Sequence, residues 1–346
     1  MSDEQDAIPI IEGKLFKASK LYPNQILNTL SEFYFKQQKY DLSFKTKKEW
    51  TNYGNKNFNE WLKFANDLRN ERQYQSAMDA YYFVLSHKIN SRLTERALLG
   101  LGRTFDDQIT TPTNKYLIPY FYDNNTFFKD PFQVFSSISS KHLESSLSLY
   151  DSLLVSLKKS SFLSEAYYRL GEINYRILQD FDKAYYLLNK SIKYKPNKKN
   201  KLSIINRTSD VLIAMGQTKE ALNFLQQQLK VENLKGIGEK IILIQFLTDH
   251  PDSTLSNINL SLTKLKSSDR SFNDLMELKN LIVKYCRDSS NYEPFKYFQK
   301  SEVYIRQKKL GDAIKELEYL VNNFPEAPIV TLANLRLAIL CFQLKD

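Results

Sequence analysis

An all-α array of antiparallel helix hairpins is the fold class this sequence predicts, on three observations. Apolar residues recur at helical intervals, and no long alternating Val/Ile/Thr run is present to make a strand. Only 9 glycines and 10 prolines punctuate 346 residues, too few for a many-turned β protein. One pattern of large, small and aromatic residues also returns along the chain at near-constant spacing, which is how stacked repeats announce themselves. With 42% apolar and 25% charged residues, the composition is that of a globular chain able to bury a sizeable core.

In chain order, residues 7–24 (AIPIIEGKLFKASKLYPN) read as the second helix of a hairpin whose first helix is missing. Residues 24–57 place Leu27, Leu30, Tyr34 and Tyr40 in phase, while Ser43, Lys47 and Trp50 depart from the pattern. Residues 58–91 carry Trp61, Phe64, Ala65 and Leu68 on one helix, then Tyr74, Ala77, Tyr81 and Val84 on the next. The unit at 95–163 opens with ERALLGLGRTFDD, in phase at Leu98, Leu101, Gly102 and Phe105. It resumes only at HLESSLSLYDSLLVSL, where Ser146, Tyr150 and Leu153 hold the expected slots.

The best-formed copy is SEAYYRLGEINYRILQDFDKAYYLLNKSIKYKPN, residues 164–197. Tyr167, Leu170, Gly171, Asn174 and Tyr175 mark its first helix; Phe181, Ala184, Leu188, Ser191 and Pro196 mark its second, with one extra residue in the turn. Gly171 and Ala184 are small because two antiparallel helices must approach closely there, and Pro196 ends the second helix because it has no N–H to donate. Residues 202–235 repeat the phase with Ile205, Leu212, Gly216, Ala221 and Leu225, Ser209 standing in the glycine slot. Residues 236–293 are helical by periodicity but only loosely repeat-like. The phase returns at 294–327 with Tyr297, Ser301, Tyr304, Leu310, Ala313, Leu317, Leu320 and Pro325. ANLRLAILCFQLKD, residues 333–346, reads as a first helix without its partner. A single array over 1–346 is expected. Because an uncapped solenoid end exposes apolar surface, it is expected to be a slice of a longer one; the alternative is that the end helices cap it unpaired.

The copies at 24–57, 58–91, 164–197, 202–235 and 294–327 together resemble the tetratricopeptide repeat (TPR), a helical hairpin of about 34 residues. The resemblance implies a right-handed α-α superhelix whose first helices line a concave groove that takes up segments of other proteins. Carried onto this chain, the groove-facing slots are Glu165, Tyr168, Glu172, Tyr175 and Arg176 in the best copy, Asn66, Arg69 and Asn70 in the copy at 58–91, and Asn206 and Asp210 in that at 202–235. Asn suits peptide-backbone recognition, since it offers both a donor and an acceptor. Tyr168 and Tyr175 are anchors on this reading and structural residues on the plainer one. The carboxylate-clamp subtype would want lysine where Leu62 stands, so that specificity is not carried over. HPDS at 250–253 and NNFPEAP at 322–328 look like the helix junctions of bacterial cell-envelope members of this family.

Residues 110–141 form an insertion between the two helices of the unit at 95–163, far longer than the few residues that usually join bundle helices. Its aromatics, Tyr116, Tyr120, Phe121, Tyr122, Phe127, Phe128, Phe132 and Phe135, argue against disorder. Two readings stand: it fills a gap in its own solenoid, or it is a lid that contacts a partner through those first six residues.

A formal charge of +10 suits nucleic acid only if the basic residues share a face. The densest runs, 195–201, 45–48 and 306–309, instead fall near predicted helix ends, where solvated loops and helix C-termini accommodate them. Cys286 and Cys341 provide no disulfide framework or zinc spacing and are expected to be buried thiols. His87, His142 and His250 are mutually isolated, and Gly236-Ile237-Gly238 lacks the flanking strand and Lys-Ser/Thr of a phosphate loop, so it reads as a helix stop and start. No nucleophile elbow or carboxylate pair is visible, and neither an enzyme nor a cofactor or metal site is expected. The acidic start MSDEQDAIPIIEGKLF has no signal order, so a cytoplasmic place is expected; a periplasmic one requires a lost N-terminal piece. The functional expectation is a non-catalytic scaffold that binds a protein or peptide partner, with a basic helical-repeat RNA binder as the alternative.

Overall fold

The computed structural model describes residues 2–54, 56–112, 135–156, 162–231, 236–248, 251–286 and 291–343. They fall into two compact units. The first comprises residues 1–109 and 139–162, the second residues 110–138 and 163–346.

The first unit contains α1 (Ser2–Leu21), α2 (Pro23–Lys36), α3 (Tyr40–Asn52), α4 (Phe58–Asn70), α5 (Tyr74–Leu85), α6 (Ser91–Ile109) and α7 (Ser140–Ser156). Neighbours pair as antiparallel hairpins, and cross-helix contacts prove the direction. Between α2 and α3, Ser31 meets Ser43, Asn28 meets Lys47 and Asn24 meets Trp50, one number rising as the other falls. Residues 43, 47 and 50, which broke the sequence pattern, are therefore the inward face of α3. Ser31 and Ser43 each donate a hydroxyl to the other's carbonyl, at 2.8 and 2.7 Å, so the small slot brings its own hydrogen bonds. In α6, a Cβ on Gly100 would collide with the ring of Tyr81, and one on Gly102 would lie 2.8 Å from Tyr150 Cζ. Both tyrosines are fully buried. Tyr150 then donates its hydroxyl to Asp106 at 2.7 Å, and Ser146 donates to the same carboxylate.

The second unit contains α8 (Leu163–Ile173), α9 (Phe181–Lys193), α10 (Lys198–Ala214), α11 (Thr218–Val231), α12 (Ile237–Thr248), α13 (Pro251–Leu262), α14 (Arg270–Tyr285), α15 (Tyr292–Arg306), α16 (Leu310–Asn323) and α17 (Val330–Gln343). Gly171 does lie under a large neighbour: its Cβ would sit 2.9 Å from Leu188. The extra residue in that copy is absorbed by a π turn, Asn174–Leu178, that widens the end of α8 before Gln179 turns left-handed. Ser191 donates to the Ser164 carbonyl at 2.6 Å, the counterpart of the Ser31–Ser43 contact. Tyr167 stacks on Tyr194 at 5.4 Å, and Tyr297 packs on Phe324 at 5.9 Å, each clasp sitting just before the proline that follows the second helix. Residues from α12 to α17 share one core, including the stretch whose repeat phase was weak.

Four hairpin turns have one shape. Gln38, Arg72, Gly216 and Lys308 all take positive φ, and the next residue's N–H reaches back five residues to Tyr34, Leu68, Leu212 and Tyr304 respectively, at 2.8–2.9 Å. This is the Schellman ending, which satisfies carbonyls the helix leaves open. Only one of the four is glycine, which is why sequence punctuation does not reveal it.

One feature was not foreseen from the sequence, and two expectations are corrected. The insertion's flanks, Thr110–Pro112 and Phe135–Ile138, pair as a short antiparallel ribbon, the one sheet among the described residues; the aromatics at 116–132 lie outside the described residues. Cys341 is exposed, while Cys286 is buried and its thiol is pushed up to about 12 by that burial. The basic runs are not all solvated: Lys47 is 4% exposed and Arg306 6%, and Lys198 and Lys201 stand in the first turns of α10, the end of a helix that disfavours cations. Arg306 and the fully buried Arg336 flank the fully buried Glu302, at 2.8 and 3.0 Å.

Gly100→Ala should lower stability by about 1–3 kcal/mol through overpacking against Tyr81, whereas Gly13→Ala in α1, where a Cβ meets nothing, should raise it by about 0.5–1 kcal/mol. Urea unfolding midpoints read both. Glu302→Gln should cost about 3–5 kcal/mol, because it strips the charge that compensates two buried guanidiniums. A triple change of Glu302, Arg306 and Arg336 to Leu, Met and Met should cost less than that single change in the same measurement.

Candidate functional site

In the second unit, four alternate helices, α8, α10, α12 and α14, contribute to one cleft of about 330 Å³. Tyr168 comes from α8; Ser203, Asn206, Arg207 and Asp210 come from α10, a stripe at i, i+3, i+4 and i+7. Gly236, Glu239 and Lys240 come from the start of α12, and Ser271 and Asp274 from α14. Gly236 has φ +105, a left-handed conformation that lets the chain turn directly into α12.

Its charges are ordered. Arg207 grips Glu172 with two N–H groups, Nε to Oε1 and Nη2 to Oε2 at 3.2 Å, and sends Nη1 to Asp210 at 3.3 Å. The same guanidinium lies 4.9 Å over the Tyr175 ring. Lys240 Nζ donates to the other oxygen of Asp210. Burial, with Glu172 beside it, pushes the Tyr168 phenol up to about 12, so it stays a neutral hydroxyl well past physiological pH. Asn206 Oδ1 is buried and has no hydrogen-bond partner.

Of the residues read from the sequence, Tyr168, Asn206 and Asp210 meet in this cleft, and Glu172 holds it through Arg207. Glu165 is buried, 3.8 Å from Arg169. Tyr175 is buried among Ala184, Leu188 and Val211, carried inward at the π turn, and Arg176 is half-buried on the same turn. Asn66, Arg69 and Asn70 belong to the first unit. There Asn66 donates to Leu62 O at 2.7 Å and accepts from Tyr81 at 2.8 Å, so both ends of its amide are engaged inside its own hairpin. Arg69 lies 3.5 Å from Asp107, and Asn70 is exposed. Tyr116, Tyr120, Phe121, Tyr122, Phe127 and Phe128 lie outside the described residues. Sequence reasoning missed Arg207, although it sits on the stripe of Asn206 and Asp210. It also missed Glu239, Lys240 and Asp274, which no repeat phase pointed to.

The first unit has a cavity of about 380 Å³ between α2 and α4, lined in part by Glu32, Glu60, Lys63 and Asp67, with Lys47 of α3 reaching into it. Lys47 Nζ donates to Asn28 Oδ1 at 2.7 Å and lies 5.2 and 5.5 Å from the rings of Trp50 and Phe64. Burial lowers its pKa from 10.5, against the opposing pull of Glu60 and Glu32, and burial likewise raises that of Asp67.

Among the described residues, no helix is long and apolar enough to cross a membrane, and no group of three or more His, Cys, Asp and Glu could hold a metal ion. No protein-family model matches the chain, and no curated protein matches it. Solved structures similar to it include the P58(IPK) TPR domain, at 12% identity over 98% of this chain and 94% of that chain, with a TM-score of 0.25. Another is Naa15/Naa10 bound to HypK-THB, at 15% identity over 95% of this chain, with a TM-score of 0.30. This chain covers 52% of that one. At such scores whole chains do not superpose, and the hairpin geometry stands on this chain's own contacts.

Lys47→Met should make the protein more stable at neutral pH, since an apolar side chain of similar length replaces a desolvated charge. The native state holds the Lys47 proton less tightly than the unfolded state, so the parent gains stability as pH rises towards 10.5. The advantage of Lys47→Met should therefore shrink over that window in urea titrations run at successive pH values.

Proposed function

We propose that this chain is a tetratricopeptide-like scaffold, without a catalytic role, that binds an extended segment of a partner protein in the cleft of its second unit. The observation that carries the reading is the convergence of polar side chains from four alternate helices, α8, α10, α12 and α14, on one cleft. An extended segment presents unpaired backbone N–H and C=O groups at each residue. Ser203 and Ser271 with their hydroxyls, and Asn206 with its amide N–H groups, supply polar contacts along its path, and the Tyr168 oxygen, whose proton Glu172 holds, adds an acceptor. The ion pairs among Glu172, Arg207, Asp210 and Lys240 tie α8, α10 and α12 together, so the polar wall is held in place before a ligand arrives.

Photo-crosslinking amino acids placed at Ser203 and Ser271 should capture partner peptides in the native cells, identified by mass spectrometry. The same probe at the exposed Tyr186 of α9 should capture several-fold fewer. For the partner found, affinity should change by less than about tenfold between 50 and 200 mM salt, whereas a phosphate-backbone ligand would lose about 10³–10⁵ over that range. Equal capture at all three positions, or the steep salt dependence, would overturn the reading.

A further inference from the structure

In the first unit, two desolvated groups of opposite charge line one cavity without being joined to each other. Lys47 comes from the second helix of its hairpin, is 4% exposed, and reaches the space of about 380 Å³ between α2 and α4. Asn28 Oδ1, at 2.7 Å, takes one of its three N–H groups, and the rings of Trp50 and Phe64 face the ammonium. No other acceptor and no ion-pair partner meets it among the described residues. Asp67 of α4, half-buried, lines the same cavity, and its carboxylate has neither a hydrogen bond nor an ion pair there. Burial disfavours both charges: that of Lys47 against the pull of Glu60, Glu32 and Asp67, and that of Asp67 against Lys63, with Glu71 adding to the effect. The cavity therefore holds unspent donors at one point and an unspent acceptor at another.

Charge then selects among ligands. The lining carries three cations, Lys36, Lys47 and Lys63, and three carboxylates, Glu32, Glu60 and Asp67, so neither sign of ion is favoured as a whole. A carboxylate would satisfy Lys47 but crowd Asp67, and an ammonium or guanidinium would do the reverse. A primary carboxamide has an acceptor and two donors and no charge. It can take an N–H from Lys47 and give one to Asp67 at once, with the buried Phe64 and half-buried Phe35 beside its methylenes. Glu32, Lys36 and Lys63 are exposed and mark the mouth, while Lys47 is buried at the far end, so a side chain entering end-on reaches it and a backbone passing the mouth does not. We propose that this cavity binds a primary carboxamide, the head of a Gln or Asn side chain, held between Lys47 and Asp67. It is a second site, on a different unit from the cleft, and does not rest on the reading given for that cleft.

Saturation-transfer NMR on the full chain tests this, with N-acetyl-glutamine methylamide, its Glu and Lys counterparts and free L-glutamine as probes. The expected result is transfer to the side-chain methylenes of the blocked glutamine, with an affinity about tenfold or more above that of either charged counterpart. Lys47→Met should abolish this binding, and because that variant is expected to be more stable than the parent, lost binding is told apart from lost fold. Asp67→Asn should reverse the order of the Gln and Glu probes, since it removes the carboxylate that excludes an acid; a residue that only supported the fold would weaken both alike. Tighter binding of blocked than of free glutamine assigns the head to a residue within a protein segment, and the opposite order assigns it to the free amino acid; both support a carboxamide site. A Glu probe that binds the parent as well as the Gln probe does, binding that survives Lys47→Met, or no transfer to any probe overturns it. Those outcomes leave crosslinking at Ser203 and Ser271 untouched, so the cleft of the second unit stands or falls separately.

Discussion

The close approach of the two helices within each hairpin is the constraint from which most of this structure follows. A helix pair can bury a tyrosine or leucine between its axes only if the facing position is nearly empty. Gly102 beside Tyr150 and Gly171 beneath Leu188 are that empty position in two hairpins, and Gly100 under Tyr81 is the same device where one hairpin meets the next. Ala77, Ala184, Ala221 and Ala313 do the same from second helices, all fully buried. Where serine takes the slot, as in Ser31–Ser43 and Ser164–Ser191, the hydroxyl turns to a carbonyl across the gap, so closeness is kept without leaving a buried polar group unsatisfied. The left-handed turns at 38, 72, 216 and 308 then return the chain at the short distance those contacts require.

Tight packing leaves little room for charge, yet each unit buries some. Lys47 has an amide oxygen and two aromatic faces to hold its ammonium, but these do not offset burial, which is why its charged form is disfavoured. Glu302 sits between Arg306 and Arg336, a triad whose value lies less in net stability than in defining which helices meet, since any mispairing of α15 with α17 would strand a charge in the core. The cleft of the second unit follows the same logic at lower burial. There Glu172, Arg207, Asp210 and Lys240 clamp alternate helices at spacings that hold a groove open between them.

Legibility of the cleft tracked the strength of the repeat. Tyr168, Asn206 and Asp210 could be read because α8 and α10 sit in strong copies, where helical spacing alone puts them on a stripe. Glu239, Lys240 and Asp274 could not, because α12 to α14 have lost the small-residue pattern and pack instead through a broad apolar core with α15 to α17. Tyr175 shows the opposite hazard. It falls on the stripe by counting, but the π turn at 174–178 changes the register, and the ring enters the packed face beneath Arg207.

Helix content, hairpin pairing and the small-against-large slots were determined by the sequence itself, because they depend on residues three, four or one hairpin apart and so leave a periodic trace. Tertiary structure alone decided which polar groups were spent and which were left over. Asn66 and Asn206 both fall on the stripe that helical spacing assigns to the groove, yet the amide oxygen of one accepts from Tyr81 and that of the other has no partner. A hydrogen bond depends on distance and direction to a partner elsewhere in the chain, and no local spacing encodes that.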